Sequence, residues 1–87
     1  MITIDKQHIS RLMLLEVYSE KNKTEQRINF FQNKYQKKLH EFEKFMQKTE
    51  EKFSYYDDYM EWKAYVKYLT GINKKIEDLR DGNIKVA

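Results

Sequence analysis

Residues 57–80 read DDYMEWKAYVKYLTGINKKIEDLR, and apolar side chains recur through this stretch at helical spacing. Steps of three and four residues alternate along the row, which is the heptad pattern of a helix that packs lengthwise against another helix. The row, with two tyrosines added by continuing it backward, comprises Tyr55, Tyr59, Trp62, Tyr65, Leu69, Ile72, Ile76 and Leu79. We call these residues the helix seam, and they predict one long helix with a partner helix beside it.

A second helix is predicted over residues 24–48, where apolar residues again recur at helical spacing. Its apolar face comprises Ile28, Phe31, Tyr35, Leu39, Phe42 and Met46. At 1.5 Å per residue the helices over 24–48 and 57–80 are about 38 and 36 Å long, so we expect an antiparallel hairpin. The intervening turn is expected over 49–56, with Ser54 as the cap of the following helix. An extra step of four residues in the 24–48 helix favours bundle packing over a long coiled coil.

A shorter N-terminal helix is predicted over residues 5–19, capped by Asp5. Its apolar residues at helical spacing are Ile9, Leu12, Met13 and Val17, with Leu15 as a further candidate. A bend is expected within 19–24, where either Asn22 or Thr24 suits the N-cap of the next helix. The same residues also permit an uninterrupted helix.

The whole chain, residues 1–87, is expected to form one all-α domain with frayed or extended ends at 1–4 and 82–87. The chain contains no cysteine and no proline. A chain of this length buries only about 60 to 65% of its unfolded surface, which leaves a lone helical hairpin little stability. We therefore expect dimerisation, with two hairpins completing a four-helix core.

Catalytic and cofactor chemistry find no support in the residue types present. The chain has two glycines, too few for a phosphate-binding loop, and no Ser-His or Cys-His pairing suggests a nucleophile. Neither His8 nor His40 follows a glutamate by three residues, as in carboxylate-bridged metal sites. The longest apolar run, 12–15, is too short for a membrane span or a signal peptide. We expect a cytoplasmic protein that is not an enzyme, carries no metal or cofactor and does not enter membranes.

Charge is unevenly distributed, although the net charge is only +3. Residues 1–48 carry ten basic and six acidic side chains, whereas 49–87 carry seven basic and eight acidic ones. A basic stripe on a helix is predicted from Lys34, Lys37, Lys38, Lys44 and Lys48, and the first three are candidate phosphate contacts. Nucleic-acid binding is therefore one alternative function.

Aromatic and acidic residues are concentrated around the start of the seam helix. Tyr56 and Met60 are predicted on one flank of the seam and Tyr68 on the other, where a single neighbouring helix does not cover them. Exposed aromatic and methionine side chains are typical anchors of protein interfaces. The predicted partner interface comprises Tyr56, Asp57, Asp58, Met60, Glu61 and Tyr68. The alternative is that the apolar members pack against the first helix or a second copy of the chain.

The run FSYYDDYMEWKA at residues 53–64, preceded by FEKF at 42–45, resembles small prokaryotic antitoxin-like proteins. Those proteins end in an Asp-Tyr-x-Glu-Trp-x-Ala helix and are often encoded beside small toxins of the TumE type. The resemblance spans about residues 28–80, and it matches Asp57, Asp58, Tyr59, Glu61 and Trp62 to the family pattern. It implies a stoichiometric mechanism, in which an acidic aromatic surface covers a basic, RNA-facing cleft on a small toxin. A homo-oligomeric coiled-coil scaffold is the main alternative.

Overall fold

The computed structural model describes residues 6–81, which form three α-helices. These are α1 (Lys6–Tyr35), α2 (Leu39–Lys48) and α3 (Lys52–Arg80). No strand occurs within residues 6–81, so the all-α prediction is confirmed for the described part of the chain. The predicted frayed or extended ends, 1–4 and 82–87, lie outside the described residues.

The two long helices, α1 and α3, pack against each other in antiparallel orientation. Near the start of α1, Val17 lies against Ile72 and Ile76 of α3. Near the end of α1, Phe31 stacks on Trp62 with ring centroids 5.8 Å apart. The result is a narrow rod that measures 64 × 18 × 17 Å.

The predicted bend within 19–24 is wrong, because α1 continues through this segment without interruption. Neither glycine nor proline occurs in the helix, and the segment contains good helix formers such as Glu20 and Lys21. Instead of capping a new helix, the Thr24 hydroxyl group donates a 2.8 Å hydrogen bond to the carbonyl oxygen of Glu20. This bond satisfies a threonine that is buried against α3.

The prediction of one continuous helix over 24–48 is wrong, since the helix is interrupted at residues 36–38. Gln36 has a φ of 54°, the left-handed conformation that ends many helices. Its side-chain Nε2 donates a 2.8 Å hydrogen bond to the carbonyl oxygen of Asn33. At the start of α2, the Lys38 N–H donates a 3.0 Å hydrogen bond to Glu41 Oε1, as in half of a capping box.

The turn before α3 is shorter than predicted, because α3 begins at Lys52 and not at residue 57. Ser54 lies within the first turn of α3, where its N–H donates a 3.1 Å hydrogen bond to the carbonyl oxygen of Glu51. The other end agrees with the prediction: α3 ends at Arg80, and the Asp81 N–H bonds the Glu77 carbonyl oxygen at 3.0 Å.

The core consists of two clusters along the rod. The Val17 cluster contains the buried side chains of Val17, Ile72, Ile76 and Leu79, with Met13 and Leu14 packed against them. The Trp62 cluster contains Phe31, Phe42 and Trp62, surrounded mainly by tyrosines and by apolar residues of α2. Most of the aromatic residues therefore pack at the end of the rod where the three helices meet.

Trp62 and Phe42 are completely buried and anchor their cluster. The indole ring of Trp62 stacks on Phe31 and Tyr35, and the Phe42 ring lies 5.3 Å from it between centroids. Within residues 6–81 no group accepts a hydrogen bond from the buried Trp62 Nε1. An unsatisfied buried donor costs about 1 to 3 kcal/mol, so aromatic packing at this site outweighs a polar penalty.

None of the helices within residues 6–81 combines the length and the apolar character that crossing a bilayer requires.

Candidate protein-interaction site

The helix seam faces inward along the whole of α3. Trp62, Ile72, Ile76 and Leu79 are buried, whereas Tyr55, Tyr59, Tyr65 and Leu69 are half-buried. The seam residues in the Trp62 cluster contact α1 and α2, and those in the Val17 cluster contact α1. The seam is therefore occupied by this chain's own helices.

A second row of residues runs along the side of α3 opposite Trp62, and we call it the outer face. Its residues are spaced four, three, four, three and four positions apart, so they form one stripe on the helix. The outer face comprises Phe53, Asp57, Met60, Ala64, Lys67 and Gly71, all of them exposed. Phe53 is 97% exposed and Met60 47% exposed, although apolar side chains of this size are usually covered.

Four of the six predicted interface residues lie together at the N-terminal end of the outer face. Asp57 and Met60 belong to the face itself, and Tyr56 and Glu61 flank it. Tyr56 is 52% exposed, so its ring presents apolar area to solvent beside the two carboxylates. This arrangement combines aromatic, thioether and acidic groups on a rigid helix.

Asp58 does not join this group, because its side chain points toward α1. Its Oδ2 accepts a 2.7 Å charged hydrogen bond from Lys34 Nζ and another hydrogen bond from the Tyr35 hydroxyl group. The Lys34 bond, followed by the Tyr35 bond, lowers the pKa of Asp58 below its usual value. The structure thus places Asp58 in the contact between α1 and α3.

Tyr68 lies farther along α3 and is half exposed. Its hydroxyl group donates a 3.2 Å hydrogen bond to Glu20 Oε2 of α1, and this bond raises the pKa of Tyr68. The ring remains on the surface beside the outer face, but its polar end is tied to α1.

Two of the three candidate phosphate contacts already interact within the chain. Lys34 is paired with Asp58, which raises the pKa of the lysine, and Lys37 Nζ lies 5.8 Å from the centroid of the Phe45 ring. Lys38 is exposed and precedes the first residue of α2. Of the three candidate phosphate contacts, Lys38 alone is both exposed and uninvolved in such a contact within residues 6–81.

Several exposed apolar residues were not predicted as surface features. Phe53 was assigned to a turn, but the early start of α3 places it on the outer face. Leu12 was expected on the covered side of the first helix, yet it is 53% exposed, and Leu15 beside it is 69% exposed. Met13 packs against the core as predicted, and Leu14 joins it there.

Of the shallow depressions that adjoin α3, two border the candidate site. One, of about 550 Å³, is bordered by Ala64, Lys67 and Gly71 of the outer face and by Tyr68. The other, of about 250 Å³, lies between α2 and α3 and includes Tyr56. Residues 6–81 contain no group of three or more His, Cys, Asp or Glu side chains placed to hold a metal ion.

Comparisons with protein-family models, curated proteins and solved structures find no match to this chain. The fold and the site themselves define an all-α protein with an exposed apolar and charged face on its last long helix.

Proposed function

We propose that this protein is a non-enzymatic protein–protein interaction module, an antitoxin-like partner that binds and masks a small basic toxin. The observation that carries the proposal is the exposure of Phe53, Tyr56 and Met60 beside the carboxylates of Asp57 and Glu61. The N-terminal end of the outer face is the proposed binding surface.

The chemistry of this surface suits a protein partner. Aromatic side chains supply much of the binding energy in many interfaces, because they bury large area with few rotatable bonds. Methionine is also enriched at interfaces, because its flexible, polarizable side chain adapts to the partner. The backbone of α3 is held in place by Trp62, which is completely buried on the opposite side of the helix. Little backbone entropy would therefore be lost on binding.

The acidic residues favour a partner of opposite charge. Glu50 and Glu51 precede α3, so Asp57 and Glu61 belong to a stretch of sequence, residues 50–61, that carries five acidic side chains and one lysine. Complementary charge accelerates association and disfavours wrong partners. A basic cleft that binds RNA would meet this requirement, and covering it would block the RNA.

Dimerisation, with two copies forming a four-helix assembly, belongs to the same proposal and is also the basis of the alternative scaffold function. It is favoured by the apolar residues that α1 and α2 leave uncovered on α3. Nucleic-acid binding has less support, because Lys34 of the basic stripe is paired with Asp58.

The test is a quantitative pull-down from the native host with the tagged chain. A Y56S/M60S variant removes two anchors of the proposed surface, and L15S is the matched control because Leu15 is an exposed apolar residue on α1. We expect the wild type and L15S to retain one small basic protein at equal stoichiometry, and the double variant to lose it. The captured protein should inhibit growth when expressed alone, and co-expression of this chain should relieve the inhibition.

Recovery of the chain without a stoichiometric partner would contradict the proposal. Equal retention of a partner by the double variant would exclude this surface.

A further inference from the structure

The outer face of α3 is complementary to itself when one copy is reversed. If two α3 helices lie antiparallel, with a two-fold axis at the level of residue 62, each outer-face residue has a defined counterpart. Phe53 meets Gly71, Asp57 meets Lys67, and Met60 meets Ala64. A large side chain thus faces a small one twice, and an acid faces a base.

We propose that a second copy of this chain docks antiparallel on the outer face of α3, with Phe53 of each copy entering the depression beside Gly71 of the other. The inference rests on the proposed use of this face as a docking surface. It assigns a second copy as the occupant when the toxin is absent, and it assigns the register of that copy.

The shape of the face allows this approach. A side-chain carbon added to Gly71 would meet no heavy atom within 4 Å, so the space above the glycine is open. The depression of about 550 Å³ at this position includes Ala64, the other small residue of the face. Phe53, at 97% exposure, is the most exposed large apolar side chain of residues 6–81.

Charge selects the antiparallel orientation. Asp57 lies in the acidic N-terminal half of α3, whereas Lys67 lies in a half that also contains Lys74 and Lys75. A parallel arrangement would place like charges together, but the reversed one pairs Asp57 with Lys67 twice by symmetry. Within residues 6–81 neither side chain takes part in an ion pair.

The contact is small, which sets its strength. From Phe53 to Gly71 the strip is about 27 Å long and about 10 Å wide. Standard interfaces bury about 800 Å² per partner, and this strip covers only about a third of that area, as in weak, transient contacts. Glu61 and Lys63 lie on opposite flanks of the outer face, beside the two-fold axis. The axis brings each of them near the same residue of the second copy, and this repulsion between like charges further weakens the dimer. We expect a dimer that dissociates on dilution.

Charge reversal with rescue tests the register. Light scattering of the purified full chain is measured over a concentration series for wild type, D57K, K67D and the D57K/K67D double variant. Each single reversal places like charges opposite each other, so the dimer should weaken about tenfold, and the double variant should restore it. K44D reverses an exposed charge on α2 and should leave the dimer unchanged.

Glycine 71 provides a test that is independent of charge. G71L fills the position that Phe53 of the second copy would occupy, and the open space around Gly71 leaves the monomer fold intact. We expect G71L to remain helical but monomeric, whereas G71A should still dimerise.

A wild type that stays monomeric at all concentrations would overturn the inference, and so would single reversals that leave the dimer unchanged. A monomer that still captures a basic partner from the host would overturn this inference and leave the proposed function standing. A dimer with the predicted rescue, but with no basic partner captured from the host, would support this inference and contradict the proposed function.

Discussion

Lys34 Nζ lies 2.7 Å from Asp58 Oδ2, and this ion pair joins the last turn of α1 to the second turn of α3. The hydroxyl group of Tyr35 donates a hydrogen bond to the same oxygen. One half-buried carboxylate therefore holds the end of α1 in register with α3, just before the chain turns into α2.

The pH dependence of stability should reflect this carboxylate. The pKa of Asp58 is lowered from 3.8 in the folded protein, so its contribution is present above the unfolded pKa and is lost as pH falls through the folded one. At neutral pH, D58N should destabilise the protein by about 1 to 2 kcal/mol. The difference from wild type should begin to shrink below pH 3.8, as urea denaturation between pH 3 and pH 7 would measure. A difference that stays constant over this range would contradict the assignment.

Phe42 and Phe53 should differ sharply in their effect on stability. Phe42 is completely buried among aromatic rings, whereas Phe53 is 97% exposed. F42A should lower the free energy of unfolding by about 3 to 5 kcal/mol because it leaves a cavity. F53A should leave the free energy of unfolding within about 0.5 kcal/mol of the wild-type value. Thermal and urea denaturation followed by circular dichroism provide the comparison. Similar losses in the two variants would show that α2 does not pack as described.

The break after α1 should be sensitive to the residue at position 36. Gln36 adopts a φ of 54°, which glycine tolerates and β-branched residues strongly disfavour. Q36V should destabilise the protein by about 1 to 2 kcal/mol, whereas Q36G should remain within about 0.5 kcal/mol, since relief of strain offsets the lost side-chain bond. If Q36V were as stable as wild type in urea denaturation, a continuous helix through this position would be indicated.

The loss of stability on replacing Trp62 should depend on whether the aromatic packing is retained. W62F keeps a ring against Phe31 and Tyr35 and removes the buried N–H that has no acceptor within residues 6–81. We expect W62F to cost less than about 1.5 kcal/mol, compared with about 3 to 5 kcal/mol for W62A. Circular dichroism is the appropriate probe, because the chain contains no other tryptophan. Equal losses in the two variants would show that a phenyl ring does not retain the aromatic packing of the indole.

The side of α3 that contacts other helices could be predicted from sequence, because a heptad row of large apolar residues has few other uses. The helix boundaries were harder to predict. Thr24 is a favourable cap by residue type, but inside a continuous helix it satisfies its own hydroxyl group through Glu20. Conversely, the real break uses Gln36, a residue type that does not indicate a left-handed turn.

How much of the candidate site could be predicted from the sequence depended on these helix boundaries. The spacing of Tyr56, Asp57, Met60 and Glu61 was sufficient to predict that they share a surface region. Asp58 differs because its partner comes from α1, and the register between two helices is not contained in the spacing of either one. Phe53 was missed because its role depends on where α3 begins.

The rod shape of the molecule has a hydrodynamic consequence. Its radius of gyration is 17.8 Å, whereas a compact domain of this length has a value of about 12 Å. A rod of this kind experiences more friction than a sphere of equal mass. A gel-filtration column calibrated with globular standards would therefore overestimate the mass of a monomer, and elution volume alone would not distinguish one copy from two.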